Sequence, residues 1–474
     1  MYSLDFLFIG MLVAFAAASY VIAPRVIDVD GFFKGLAPDG QAPGVLALTL
    51  SQVTTWIFAR SLMTAAVLGY YYGIAGGLAY AAYYLSFITG GAIIRSIRFR
   101  HGCSSVQEFL SGRFGRGGVV CYNIVIAVRL LSEVFANLLV IGIIFGDTGS
   151  NSYAFAIVIL ASVTLGYSML GGLRASLRTD VFQMMAFLVI FGVVIAMLFS
   201  TDLWSWQAAI SSSSNSGAEP GWILLAVAGL QFWSYPLHDP VMMDRGFIAD
   251  RRTTMASFVH AAWISILCIL GFSMLGVFAG LNAVDGEAMM TALSRMLGPT
   301  MLMFVNMALI VSAASTLDST LSSAAKLSIA DLGLFSISLK NGRVAMALFM
   351  LGGLLFLFGG TKDLYSAVAV SGTASMYLAP VIFFSIWLGK RNIPVWSYYL
   401  SFITALGGAA LYYTEAHAIS DILTPFAGLE HKYTKLLVIS GAIMVLGNVY
   451  FLLGMLQSRF VHGYVIESGE IASK

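Results

Sequence analysis

Gln231-Phe232-Trp233-Ser234-Tyr235-Pro236-Leu237-His238-Asp239-Pro240 lies inside an apolar run, 221–244, where a membrane helix would be expected to continue unbroken. Two prolines there remove amide donors and obstruct the helical ladder, so the run is expected to unwind at its middle. A second run of the same kind, Ser51-Gln52-Val53-Thr54-Thr55-Trp56-Ile57-Phe58-Ala59-Arg60-Ser61, places several polar groups at the centre of 43–73. Polar groups at that depth must face protein or water and not lipid. With the first apolar run set aside, these two interrupted runs each open a set of five. Corresponding breaks in two halves of a chain are the sequence mark of a transporter's central binding site. For either run taken alone, polar residues that simply hold helices together remain the alternative.

The composition supports a bilayer. Of 474 residues, 59% are apolar and 10% charged, against about 25% charged in ordinary soluble proteins. That excludes a cytosolic enzyme or a nucleic-acid binder, and the net charge of +2 says nothing further about partners. Apolar runs fall at 4–24, 43–73, 75–94, 118–146, 152–171, 178–200, 221–244, 254–281, 299–329, 342–360, 363–389, 395–415 and 434–457. They predict an all-α integral membrane protein of about thirteen spans, a single transmembrane domain over 1–474. One alternate set of loops, including the pair Arg251 and Arg252 with Arg245, carries 19 lysines and arginines, and the opposite set carries 4. Short cytoplasmic loops retain positive charge, so the N-terminus is expected outside and the C-terminus in the cytoplasm. Cys103, Cys121 and Cys268 have no metal or disulfide spacing. The expectation is a protein without cofactor in the cell membrane.

Further along, Ser312-Ala313-Ala314-Ser315-Thr316-Leu317-Asp318-Ser319-Thr320 sets Ser312, Ser315, Thr316 and Ser319 on one helical stripe. A hydroxyl stripe can be plain helix packing. Asp318 argues for more, since a carboxylate inside a span needs a cation or a partner. Hydroxyls, free carbonyls and a carboxylate are the hard oxygen ligands that replace the hydration shell of an alkali ion. A second acid, Asp180, opens the run 178–200, where it reads either as part of the same chemistry or as a helix N-terminal acid set against the local dipole.

Three motifs then resemble the sodium:solute symporter family, whose relatives carry proline, galactose, sialic acid, pantothenate and monocarboxylates. They are Gly171-Gly172-Leu173-Arg174-Ala175 with Thr179-Asp180-Val181-Phe182-Gln183; Ala314-Ser315-Thr316-Leu317-Asp318-Ser319; and Val106-Gln107-Glu108-Phe109-Leu110 with Arg113-Phe114. The resemblance implies a LeuT-like inverted repeat of five plus five helices (43–200 and 221–389), one extra helix before it (4–24) and two after (395–457). It implies a main sodium site made of the carbonyls of Thr54, Ile57 and Ser312 and the hydroxyls of Ser315 and Thr316. A second cation site, found in some relatives, maps onto Asp180, Ser315, Asp318 and Ser319, where Asp318 and Asp180 sharing a proton is the alternative. Tyr235 matches the aromatic that closes the inner gate in sugar carriers, and Arg129 matches a carboxylate-binding arginine in sialic acid carriers. Arg60 and Asp239 depart from the family's pattern.

An arginine presents a planar fork suited to carboxylates, so two arginines near one cavity favour an organic anion or an amino acid as substrate. The alternative is internal pairing, Arg129 with Glu133 and Arg60 with Asp239. Phe58, Ser61, Tyr80, Trp233 and His238 complete the candidate cavity, with His238 the first residue to suspect if a proton takes part. The function expected is sodium-coupled symport of a small polar organic solute by alternating access. A transporter-like solute sensor and a proton-coupled symporter are the competing readings. With no phosphate loop and no paired catalytic histidine, an enzyme is not expected.

Overall fold

A computed structural model describes residues 2–213, 219–359, 364–427 and 429–471, and every long element in it is a helix. Lys362 and Lys474, which entered the loop-charge argument, lie outside the described residues.

The two interrupted runs are broken where the residues require it. The first stops as the helix Val45–Trp56 and restarts as Ala59–Ala82, with Ile57 non-helical (φ −87°, ψ 79°) and Phe58 extended between. In the second, Pro220–Gln231 ends, a short 3-10 turn spans Tyr235–His238, and Pro240–Gly246 begins a new helix. Asp239 caps that new helix, its Oδ1 accepting the Met242 amide at 2.9 Å. Proline at the first helical position loses no bond there, which is why the helix can start at Pro240.

Several runs separated by polar punctuation in the sequence are continuous in hydrogen bonding and change direction at glycines. Asn151–Phe199 has 49 residues, about 73 Å if straight, against about 30 Å of hydrocarbon. It is divided at Gly172, whose φ of 55° and ψ of −137° lie outside the helical region. There a side chain would also collide with Phe32. Gly73, Gly115 and Gly298 divide three other long helices in the same way. For this reason only six described helices count as spans on length and hydropathy, or seven if the bent pair Ala369–Ser375 and Leu378–Trp387 is one span, where about thirteen were expected.

The restarted half of the first broken helix packs most extensively against Arg251–Asn282. The contact is backbone against backbone: a Cβ on Gly276 would overlap the Ala66 carbonyl, and one on Gly280 would lie 2.5 Å from the Tyr70 carbonyl. Gly276→Ala is therefore expected to destabilise the protein by about 1–3 kcal/mol, the usual penalty of overpacking. An unchanged unfolding midpoint in detergent would contradict that close approach.

The helix Met289–Lys326 lies against Asn151–Phe199 and against both halves of the first broken helix. Every residue from Val305 to Ala325 except Asn306 is buried or nearly so along its inner stretch, including all of Ser312–Ser323. That arrangement brings the hydroxyl stripe, the first break and Asp180 to one place.

Candidate functional site

Where a helix stops, its last carbonyls lose their amide partners and need others. At the first break the hydroxyl stripe supplies them. Thr316 Oγ1 donates to the Thr54 carbonyl at 3.0 Å and lies 3.1 Å from the Ser312 carbonyl; Ser312 Oγ donates to the Ile57 carbonyl. Four of the five residues expected at the main cation site thus converge. Ser315 sits on the same stripe but turns its hydroxyl to Asp180 Oδ1 at 3.1 Å. All five are buried.

The second expected cation site is assembled differently from the sequence reading. Asp180 is fully buried within its helix and not at a helix start. It accepts from Ser51 Oγ at 2.6 Å and from Ser319 Oγ at 3.0 Å. Between these groups lies the guanidinium of Arg245, which the loop-charge argument had placed among cytoplasmic charges and which is in fact 0% exposed. Its Nη2 reaches Asp180 Oδ2 at 3.2 Å, Ser176 Oγ at 2.9 Å and Ser319 Oγ at 2.8 Å, and its Nε reaches Ser51 Oγ at 3.1 Å. The physical reason is placement. Pro240 restarts the helix early, so residue 245 remains inside the bundle. The signal in the sequence was the run Val241-Met242-Met243, which continues the apolar face past the break. Asp318 is neighbour to this cluster and not a member of it: Thr179 donates to its Oδ2, and its Oδ1 has no partner among the described residues.

Arg129 anchors a second buried polar cluster. Arg129 pairs with Glu133 at 2.5 Å and with Asp239 at 3.3 Å, all three buried. The expected pair of Arg129 with Glu133 is present; the expected pair of Arg60 with Asp239 is not, because Asp239 already serves Arg129 and the Met242 amide. Arg60 is 0% exposed and none of its guanidinium nitrogens has a hydrogen-bond partner among the described residues. It lies 4.9 Å from the centre of the Phe58 ring, and Arg129, Tyr235, Tyr80 and Glu133 are the groups within its electrostatic reach.

Phe58, Ser61, Tyr80, Arg129 and Tyr235 line one small cavity together with Trp56, Tyr83 and Tyr84. Its volume of about 20 Å³ is room for a water and not for an organic solute. Tyr235 forms one wall of it, its ring 5.2 Å from Trp56 and 5.8 Å from Tyr83, with Arg129 5.4 Å above its face. Four expected cavity residues do not line it: Arg60, placed beside the Phe58 ring, and three others. Trp233 packs on Phe232, Phe383 and Trp387. His238 is tied to the Tyr235 carbonyl and to Ser371. Asp239 is a helix cap and the partner of Arg129. His238 lies in the 3-10 turn, which rotates consecutive side chains by a different angle from an α-helix, and Trp233 in the irregular turn before it.

At the end of the bundle that carries most of the basic loops, a larger cavity of about 1030 Å³ is lined by Gln107, Asn123, Asp244, Lys326 and Asp331 among others. Lys326 Nζ bonds Asp244 at 2.6 Å and Asp331 at 3.3 Å across it. This ion-pair cluster links the second broken helix to the hydroxyl helix, and the sequence reading had treated its lysine only as a loop charge.

No family model matches the chain. Its fold, however, is shared with solved transporters. A Na+-coupled sialic acid symporter in a substrate-bound, outward-open state aligns with a TM-score of 0.69 over 95% of this chain and 97% of its own, at 14% identity. The fold is that of a LeuT-like transporter. A nucleobase-cation-symport-1 family transporter, closed on bromovinylhydantoin, gives a TM-score of 0.52 over 92% of this chain and 95% of its own, at 15% identity. A manganese transporter of Eremococcus coleocola gives 0.52 over 88% and 94%, at 11%. By sequence, the urea active transporter of Saccharomyces cerevisiae is 30% identical over 160 residues, 32% of this chain and 21% of that protein. The chain thus matches about a fifth of that relative's length. With this architecture and its long apolar helices, the protein is a multi-pass membrane protein built like a secondary transporter.

Proposed function

We propose that this chain is a sodium:solute symporter of the cell membrane. It carries a small polar organic solute, an organic carboxylate or an amino acid, together with sodium by alternating access, and it needs no other cofactor. The observation that carries this reading is the convergence of Thr54, Ile57, Ser312 and Thr316 at the break of the first helix. Their oxygens bond one another across two elements that alternating access must separate and rejoin. A sodium ion entering there would turn the Thr316 hydroxyl proton away and take the carbonyl and hydroxyl oxygens as ligands, with Ser315 completing the set. It would join the two elements more strongly than a hydrogen bond does, and so favour the form that accepts the solute. Linkage makes the coupling mutual, each ligand raising the affinity for the other.

The solute would sit against Arg60, Arg129, Phe58, Ser61, Tyr80 and Tyr235. The guanidinium of Arg60, buried without an acceptor among the described residues, favours a carboxylate there. A second reading, a urea-like neutral amide, is favoured by the two acceptor carboxylates Glu133 and Asp239 beside the donors, and by the likeness over 160 residues to a urea transporter. The orientation follows from the loop charges, N-terminus outside and C-terminus in the cytoplasm.

The test is the unfolding temperature of the purified protein in sodium against a bulky organic cation, with carboxylates, amino acids, sugars and urea-like solutes added in turn. A ligand at 100 times its Kd stabilises the native state by about 2.7 kcal/mol. Sodium should raise the midpoint, Thr316→Ala should lose that rise, and one solute class should add to it only when sodium is present. No sodium effect on the parent protein would defeat the proposal. Sodium-dependent binding without uptake into vesicles would make the protein a sensor and not a carrier.

A further inference from the structure

We propose that the groove between the helices Ser86–Phe99 and Arg251–Asn282 binds one anionic phospholipid, whose headgroup phosphate is held by Arg95, Arg100 and Arg251. The inference needs only the membrane architecture and stands whatever solute the protein carries. It begins in the sequence. On the first helix Ile88, Ala92, Arg95 and Phe99 recur at the spacing of one helical face, and on the second Arg251, Met255, Phe258 and Val259 do the same. Arg98, near the end of the first helix, donates to the carbonyls of Gly246 and Ala249, just before the start of the second. Phe87 and Gly91, further back on the chain, lie against Phe258. The two helices are therefore antiparallel, and both stripes carry arginine at the same end and exposed apolar side chains about 10–12 Å further along.

Between the stripes is a cavity of about 810 Å³. Its floor is closed: Phe87 and Phe258 are buried with their rings 6.5 Å apart, and a Cβ on Gly91 would lie 3.2 Å from the Phe258 side chain. Its apolar end is open, with Ile88 48% and Val259 54% exposed, so an acyl chain laid there would cover both. At the arginine end Arg100 Nη1 donates to the Trp387 carbonyl at 2.6 Å, which ties the helix Val381–Trp387 to the groove as a third wall.

Charge names the occupant. Three arginines line the cavity and no aspartate or glutamate does. Neither Arg95 nor Arg251 has an ion-pair partner among the described residues. Asp250, next to Arg251 in the chain, is already engaged as a helix cap by the amides of Arg252 and Thr253. Guanidinium forks match the oxygens of a phosphate, and basic pockets between membrane helices bind phosphate headgroups. A zwitterionic headgroup would bring its own ammonium towards three guanidinium groups; an anionic one brings none. The apolar end supplies what a free phosphate could not use.

The experiment titrates the full-length protein, washed free of lipid in a neutral detergent, with dioctanoyl phosphatidylglycerol and counts the lipid retained by native mass spectrometry. Dioctanoyl phosphatidylcholine, with the same chains, and glycerol 1-phosphate, with none, are run beside it. Phosphatidylglycerol should bind saturably, one per chain, and more tightly than either. An arginine near a lipid headgroup is worth about a fivefold change in affinity, so Arg95→Gln should weaken binding about 5-fold and Arg95→Gln/Arg251→Gln about 30-fold. Arg178→Gln, which removes an exposed charge outside the groove, should bind like the parent. Equal affinity for phosphatidylcholine, or a double variant that binds like the parent, overturns the inference. Equal affinity for glycerol 1-phosphate overturns the lipid and leaves a soluble phosphate as the ligand. The headgroup comparison uses the parent protein alone, so it decides even where a variant fails to fold.

Discussion

Asp180→Ala should lower the stability of the folded protein by about 3–5 kcal/mol, the loss found when one partner of a buried ion pair is removed and the other stays charged. Asp180 accepts hydrogen bonds from Ser51, Ser315 and Ser319 besides its pair with Arg245. Its removal therefore takes an acceptor from three buried hydroxyls and leaves the buried Arg245 charge without its counter-ion. The effect is read from the unfolding midpoint and from the yield of monodisperse protein. Adding Arg245→Met to the same chain should recover most of the loss, since the unpaired charge is then gone, and the shortfall from additivity measures the coupling between the two residues. A midpoint for Asp180→Ala within a degree of the parent's would mean that the carboxylate is not paired in the folded protein.

Arg60→Met should act in the opposite way on stability and strongly on binding. The guanidinium is buried without an acceptor among the described residues, and such a group costs folding energy. The variant should therefore be as stable as the parent or more so. If Arg60 holds the solute's carboxylate, its loss removes hydrogen bonds to a charged group worth about 1.5–3 kcal/mol, so the Kd for the acid should rise about 10- to 150-fold. A neutral solute should be little affected. Arg129→Gln serves as the contrast: Arg129 pairs with both Glu133 and Asp239, so its replacement should destabilise the protein whatever the solute is. A substrate affinity unchanged in Arg60→Met would remove the carboxylate reading and leave the urea-like one.

The residues of the two breaks were legible in the sequence because proline and clustered polar groups act locally. Pro236 and Pro240 have no amide to donate, so each interrupts the helical ladder at its own position. The hydroxyl stripe was legible for a similar reason, since spacing along one helix decides which side chains share a face. Pairings between helices were not legible. Glu133 lies four residues from Arg129 on one helix and was found, whereas the choice of Asp239's partner depended on which of two arginines a broken backbone would bring closer. Trp233 and His238 were expected in the cavity and lie outside it, because the break leaves both in non-α-helical backbone whose side-chain directions the sequence does not encode.

What the sequence determined by itself is the solvent, the class of fold and the places where the backbone fails to be helical, all of which follow from composition, period and the covalent limits of proline. What only the tertiary structure decided is which charge answers which. Arg245, a loop charge by position, becomes the cation of a buried cage because the early restart at Pro240 keeps it inside. Arg60 is left without an acceptor among the described residues, Asp239 being bonded to Arg129 and the Met242 amide. Electrostatic partnership depends on distances between elements far apart in the chain, and no local pattern encodes them.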